Sequence, residues 1–147
     1  AVTWLMLLFA GNGFFDASRV EPSLLDLLRG KSHRVITAQS HETVGDVIIR
    51  LKQDGISQMP VVDDDGKPIG MVHEVDLLNT VVEGKSARSD TIEALMTPLQ
   101  GSIEPTATLE QLRAIFANDN VAVVVSDDRI LAIVTKIDLI EYLSTRT

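Results

Sequence analysis

The sequence predicts an α+β fold built as a duplication, two copies of a strand, helix, strand, strand, helix unit in tandem. Three observations carry that expectation. An apolar strand pattern turns into a helical one at Ala132-Ile133-Val134-Thr135-Lys136-Ile137-Asp138, and 62 residues earlier Gly70-Met71-Val72-His73-Glu74-Val75-Asp76 makes the same transition. Two helix starts, Thr43-x-x-Asp46 and Thr108-x-x-Gln111, lie 65 residues apart; in each, a hydroxyl and a second polar side chain three residues on can satisfy orphan backbone donors. The chain has 147 residues, and because a unit of roughly 60 residues buries little surface alone, two units sharing a core is the economical arrangement.

Composition narrows the class further. The chain is 45% hydrophobic, 23% charged and 4% aromatic, a globular balance rather than a disordered one. A net charge of −8, with no basic stripe, argues against a nucleic-acid partner, whose phosphates are met by clustered Lys and Arg. The absence of cysteine removes disulfides, zinc-thiolate sites and thiol catalysis, and fits a cytoplasmic setting.

Taken in order, residues 1–33 read as a lead-in. Ala1 to Ala10 is an apolar run stopped by Gly11-Asn12-Gly13, too short for a bilayer, which takes about 20 apolar residues. It lacks the basic residues of a signal peptide. It reads instead as the remnant of an upstream segment, and no membrane partner is expected. Pro22, Leu24, Leu25, Leu27, Leu28 and Gly30 suggest a short amphipathic helix with a stop signal, a lead-in rather than part of a core.

The first unit spans residues 34–84. Val35 and Ile36 are expected as a short strand; Val44, Val47, Ile48 and Leu51 recur at i, i+3, i+4 and i+7 and end at Gly55, the pattern of one buried helical face with a glycine stop. Met59 to Val62 and Ile69 to Val72 are strands around the turn Asp63-Asp64-Asp65-Gly66-Lys67-Pro68, and Val75, Leu78 and Val82 mark a second helix. Residues 85–91, largely the polar stretch Gly84 to Asp90, read as a linker. The second unit, 92–147, opens with a short helix at Ile92 to Met96 and replays the pattern: strand at Ser102-Ile103, helix through Leu109, Leu112 and Phe116, strands at Val121 to Val125 and Ile130 to Val134, helix through Ile137, Ile140, Tyr142 and Leu143. It is three residues shorter, with the loss expected after its first helix and in its hairpin.

With both units placed, Ala132 to Asp138 resembles the Gly-h-x-Ser/Thr-x-x-Asp motif of CBS domains, with Ala132 for the leading glycine. Met59-Pro60-Val61-Val62 before an acidic turn and Met96-Thr97-Pro98 at the entry to the second unit add to the match. The chain is thus similar, from Arg34 to Leu143, to a tandem CBS pair, or Bateman module. A narrower likeness points to the C-terminal regulatory region of cystathionine beta-synthase, through Leu51 to Val62, Gly84-Lys85 with Ser89-Asp90, and Trp4-Leu5-Met6 with Gly13-Phe14. The resemblance implies two repeats packed pseudo-symmetrically through their sheets, a regulatory rather than catalytic role, and a homodimer formed through the module.

Asp138 then has two readings. By spacing alone it is a helix N-terminal aspartate satisfying backbone donors; by resemblance its carboxylate accepts both ribose hydroxyls of an adenosyl ligand. In the second reading Thr135 faces the 5′ substituent, Ile56, Ser57 and Gln58 of the other repeat complete the pocket, and Ile133, Ile137 and Val35 wall the adenine. The mirror pocket, expected to be weaker, would use Asp76 and His73 with Asn120, Val121 and Ala122; His73 stands where a hydroxyl is expected. S-adenosylmethionine, AMP, ADP and ATP all fit the resemblance. Lys136 and Arg34 are candidate cations for a phosphate tail, and Ser57 stands where an acidic residue would better hold an amino group.

No catalytic residue is expected: the chain has no Ser-His-Asp pattern, no phosphate-cradling glycine loop and no lysine in a setting for pyridoxal phosphate. No metal is expected either. Asp63 to Asp65 reads as a solvated turn, and His33, His41 and His73 are too scattered for a ligand set. The functional expectation is a regulatory module that senses an adenosyl ligand for an attached or partner enzyme, with a ligand-free dimerisation module as the alternative.

Overall fold

Each unit begins where a threonine precedes an apolar helical stripe. The computed structural model describes residues 21–31 and 34–146; the expectations for residues 1–20 and His33 lie outside it. Its elements are α1 (Leu24–Arg29), β1 (Ala38–Gln39), α2 (Val44–Asp54), β2 (Gln58–Val62), β3 (Pro68–His73), α3 (Glu74–Val82), a 3₁₀ turn at Glu93–Leu95, β4 (Ser102–Ile103), α4 (Leu109–Ile115), β5 (Val121–Ser126), β6 (Arg129–Thr135) and α5 (Lys136–Ser144). Thr43 caps α2 by accepting the Asp46 N–H at 3.1 Å. Thr108 and Gln111 cap α4 reciprocally, hydroxyl to N–H at 3.0 Å and side-chain oxygen to N–H at 2.8 Å.

The two sheets have the same plan. In each, the first strand runs parallel to the second and the second antiparallel to the third. Gln58 pairs with His73 as Val121 pairs with Thr135, and both hairpins carry a register shift at the same place, between Val61 and Val62 and between Val124 and Val125. These registers locate the three missing residues of the second unit: two between the helix cap and β5, one in the hairpin. That shorter hairpin turns on Asp127 and Asp128 at φ 52° and 60°, the left-handed pair of a two-residue turn. In the longer one Asp63 Oδ1 accepts the N–H groups of Asp65 and Lys67, both at 2.9 Å, so its acidic run is a self-bonded turn. The Arg129 side chain lies against Gly66, whose φ of 85° suits glycine, and brings the hairpin tips together.

The strand expected at Val35-Ile36 lies three residues on. Ala38 and Gln39 pair with Val61 and Val62, and Arg50 holds the approach to α2 by donating to the Thr37 carbonyl at 3.0 Å and to Glu42 at 2.5 Å. Ile36 instead packs beside the first core.

The lead-in helix requires a larger correction. Leu24, Leu27 and Leu28 are buried in the core of the second unit, with Leu112, Ala122, Val124, Ala132 and Val134. Each such leucine contributes about 1.5–3 kcal/mol by leaving water, so three contribute roughly 5–9 kcal/mol, comparable to the net stability of a whole domain. Polar bonds fix the dock: the Tyr142 hydroxyl accepts the Ser23 N–H at 3.1 Å and donates to Asp26 at 2.9 Å, while Arg146 reaches the same carboxylate at 3.0 Å. The opening of the second unit does the reverse. Ile92 is fully buried in the first core, with Leu95 and Met96 against it. Its backbone is tied down by Val44 N–H to Asp90 carbonyl at 2.7 Å and by a two-way bridge between Met71 and Thr97 at 2.8 and 2.9 Å. A Cβ on Gly70 would stand 2.7 Å from the Thr97 carbonyl oxygen. Glycine is therefore required here, whereas Ala132 at the equivalent position of the second unit fits as a buried core methyl. No helix among the described residues is long and apolar enough to cross a membrane.

Because Leu27 belongs to the second core, Leu27→Ala is expected to destabilise the protein by about 2–5 kcal/mol in urea unfolding and to reduce hydrogen-exchange protection in β5 and β6. A change below about 1 kcal/mol, the scale of surface substitutions, would restore the lead-in reading.

Candidate functional site

The end of β6 is built by a reciprocal cap. Thr135 Oγ1 accepts the Asp138 N–H at 3.2 Å, and Asp138 Oδ2 accepts the Thr135 N–H at 2.8 Å, which closes the first turn of α5. Lys31, just beyond the C-terminal end of α1, places its ammonium 2.9 Å from the same Oδ2. Burial pushes the Asp138 carboxyl up, but the Thr135 N–H and hydroxyl and the Lys31 ammonium outweigh it and hold the group below its ordinary value.

Beside this cap lies a cleft of about 330 Å³ between the units, within the range that takes a small molecule. Its wall draws Gly55, Ile56, Ser57 and Gln58 from the turn between α2 and β2, Val121, Ile133 and Thr135 from β5 and β6, and Lys31, Arg34, Val35 and Ile36 from the chain that leaves α1. The left-handed Gly55, φ 63°, ends α2, and the Ser57 carbonyl accepts the Glu74 N–H at 2.8 Å, which fixes the turn against α3.

Six residues anticipated for one pocket, Val35, Ile56, Ser57, Gln58, Ile133 and Thr135, are brought together in this wall. Asp138 stands behind it, in a neighbouring polar cleft of about 320 Å³ with Asp26, Glu141 and Tyr142, and Lys31 lines both clefts. Ile137 points away on the outer face of α5, 57% exposed. Of the mirror set, Val121 lines the first cleft, Ala122 is buried in the second core, Asn120 is exposed, and Asp76 is half-buried near the start of α3. His73 occupies the N-cap of α3 without a side-chain capping bond, where Thr135 makes one in α5. Lys136 lies elsewhere, beside Arg113 and Phe116. Lys31, Ile36 and Gly55 were missed: Lys31 follows a helix stop with no motif around it, and only the position of α1 on the second unit brings it here.

The CBS domain family model matches residues 26–83 and 92–145. Among curated relatives, cystathionine beta-synthase of Dictyostelium discoideum is 31% identical over 113 residues, 74% of this chain and 23% of that protein. The enzyme of Oryctolagus cuniculus is 29% identical over 117 residues, 71% of this chain and 21% of that protein. The chain therefore spans less than a quarter of either relative. Among solved structures, the CBS domain pair of protein MJ0100, in complex with 5′-methylthioadenosine and S-adenosyl-L-methionine, superposes with a TM-score of 0.71 at 24% identity, covering 86% of this chain and 98% of that one.

Since the Asp138 pKa is depressed by folding, its contribution to stability is complete above the unfolded-state value, about 3.9, and is lost as the pH falls through the folded value below it. Asp138→Asn is accordingly expected to destabilise the protein at neutral pH by about 1 kcal/mol, the scale of a capping interaction. The gap from wild type should close in urea titrations as the pH is lowered from about 5 toward 2; a gap independent of pH would contradict the charge assignment.

Proposed function

The chain belongs to the CBS domain family as a tandem pair, and on that premise we propose that it is a regulatory module whose inter-repeat cleft binds an adenosyl ligand and passes the occupancy on to an enzyme. The observation that carries this reading is the cleft itself, where Ile56 to Gln58 of one repeat face Ile133 and Thr135 of the other. Val35, Ile36, Ile56, Val121 and Ile133 give apolar walls suited to a purine, and Thr135 and Ser57 give polar contacts at its edges. Asp138 is the acceptor for a vicinal diol, through charge-assisted hydrogen bonds. A ligand touching both repeats binds their closed arrangement better than an open one, which is the differential affinity a signal requires. The similarity to cystathionine beta-synthase supports an attached pyridoxal-phosphate enzyme as the regulated partner, and the MJ0100 complex supports S-adenosylmethionine or a related nucleoside as a ligand class.

Calorimetry and thermal denaturation with S-adenosylmethionine, AMP and ATP test the reading. A ligand at 100 times its Kd is expected to stabilise the folded protein by about 2.7 kcal/mol, and Asp138→Ala to weaken binding by at least about tenfold. No heat and no thermal shift with any of the three at millimolar concentration would refute it.

A second reading, dimerisation, has its own observation. Val75, Leu78 and Val81 on α3 and their equivalents Ile137, Ile140 and Leu143 on α5 are all exposed, from 41% to 59%. Apolar side chains left in water at the same helical positions of both repeats form a duplicated stripe that calls for a cover, and a second copy of the chain fits it. Sedimentation is expected to show a dimer, and Leu78→Glu combined with Ile140→Glu a monomer. A dimer that binds none of the nucleosides and is unchanged by Asp138→Ala would leave the structural role alone standing.

A further inference from the structure

We infer that the cleft selects an adenosyl ligand with an anionic tail, a nucleoside phosphate, and that Lys31 is the residue that selects it, by exchanging the Asp138 carboxylate for the phosphate. The inference rests on the adenosyl reading above and adds the class of ligand. Its first support is a local inversion of charge. The chain carries 21 Asp and Glu against 13 Lys and Arg, yet among the described residues the cleft wall contains two basic ones, Lys31 and Arg34, and no acidic one. Carboxylates that engage this pair, Asp138 at 2.9 Å from Lys31 Nζ and Asp54 at 3.5 Å from Arg34 Nη2, stand outside the wall. A sulfonium or ammonium tail would enter against like charge, whereas a phosphate would meet opposite charge.

The second support is that Asp138 is already engaged. Its Oδ2 holds the Thr135 N–H at 2.8 Å and the Lys31 ammonium at 2.9 Å, so a ribose diol that takes both carboxylate oxygens competes with Lys31 for Oδ2. The two side chains are only 25% and 23% exposed, and an ammonium forced off its partner in such a place needs another anion. Lys31 lines the ligand cleft and the Asp138 cleft alike. Its flexible four-carbon stem can swing the charge from one to the other while α1 stays docked. A phosphate in the cleft receives it; a neutral nucleoside leaves it unpaired, and S-adenosylmethionine offers it one carboxylate alongside two cationic groups, a weaker exchange than a dianion.

Titration calorimetry with AMP, adenosine and S-adenosylmethionine tests the exchange on the whole chain, its Lys31→Met variant and its Lys31→Arg variant. The expected result is AMP binding at least tenfold tighter than either other ligand. Lys31→Met should reduce that preference to under threefold while adenosine binds as well as or better than before, and Lys31→Arg should keep it. Raising the salt should shrink the preference in the unaltered protein, a measurement independent of how well any variant folds. Adenosine or S-adenosylmethionine binding as tightly as AMP, or Lys31→Met weakening all three equally, would overturn the inference and leave the adenosyl reading intact. Failure of all three to bind would overturn both.

Discussion

The structure depends on an exchange of apolar segments between two small units. Leu24, Leu27 and Leu28 precede the first sheet and fill the core of the second unit; Ile92, Leu95 and Met96 precede the second sheet and close the core of the first unit. The first transfer, three buried leucines, involves burial on the scale of a domain's net stability; the second rests on one fully buried side chain, Ile92, with Leu95 and Met96 partly buried beside it. The pair therefore folds as one object, and its inter-repeat geometry is held by core packing as well as by the approach of the two hairpin tips at Gly66 and Arg129.

The cleft is a by-product of that exchange. A chain that leaves α1 on the second repeat must cross to β1 in the first, and the described residues of the crossing, Lys31, Arg34, Val35 and Ile36, become one wall. The other walls come from the turn ending α2 and from the start of β5 and the end of β6. Three separate stretches of sequence meet there because the lead-in helix is anchored at one end by leucines and by the Tyr142, Asp26 and Arg146 cluster. The same anchor holds Lys31 against Asp138, so the electrostatics of the site follow from the packing of a helix that shares no repeat with the aspartate.

How far the sequence could be read divides along the range of the interactions. Caps and periods are local, and Thr43, Thr108 and Thr135 begin helices where their spacing says they should. The duplication registered in residue numbers, and even the three-residue shortening falls where the two repeats diverge in pattern. What escaped was long-range. Leu24 to Leu28 show an amphipathic helix, but periodicity does not say which core receives it. Val75 and Leu78 show a helical stripe just as Val44 and Val47 do, yet the first stripe faces outward and the second is buried; a 3.6-residue period reports one apolar face and not what covers it. Lys31 has no motif at all, because its role comes from where α1 docks.

The exchanged segments also bear on the history of such a gene. Once each copy of a duplicated unit has come to complete its sibling, deletion of either removes part of the survivor's interior as well as its partner. A return to the single-copy ancestor is then closed off by folding, without any selection on ligand binding. Recombination can move the module between proteins only as an uncut block that carries the leucine helix upstream of the first repeat along with both repeats, and divergence is left to the cleft wall and the outer helical faces.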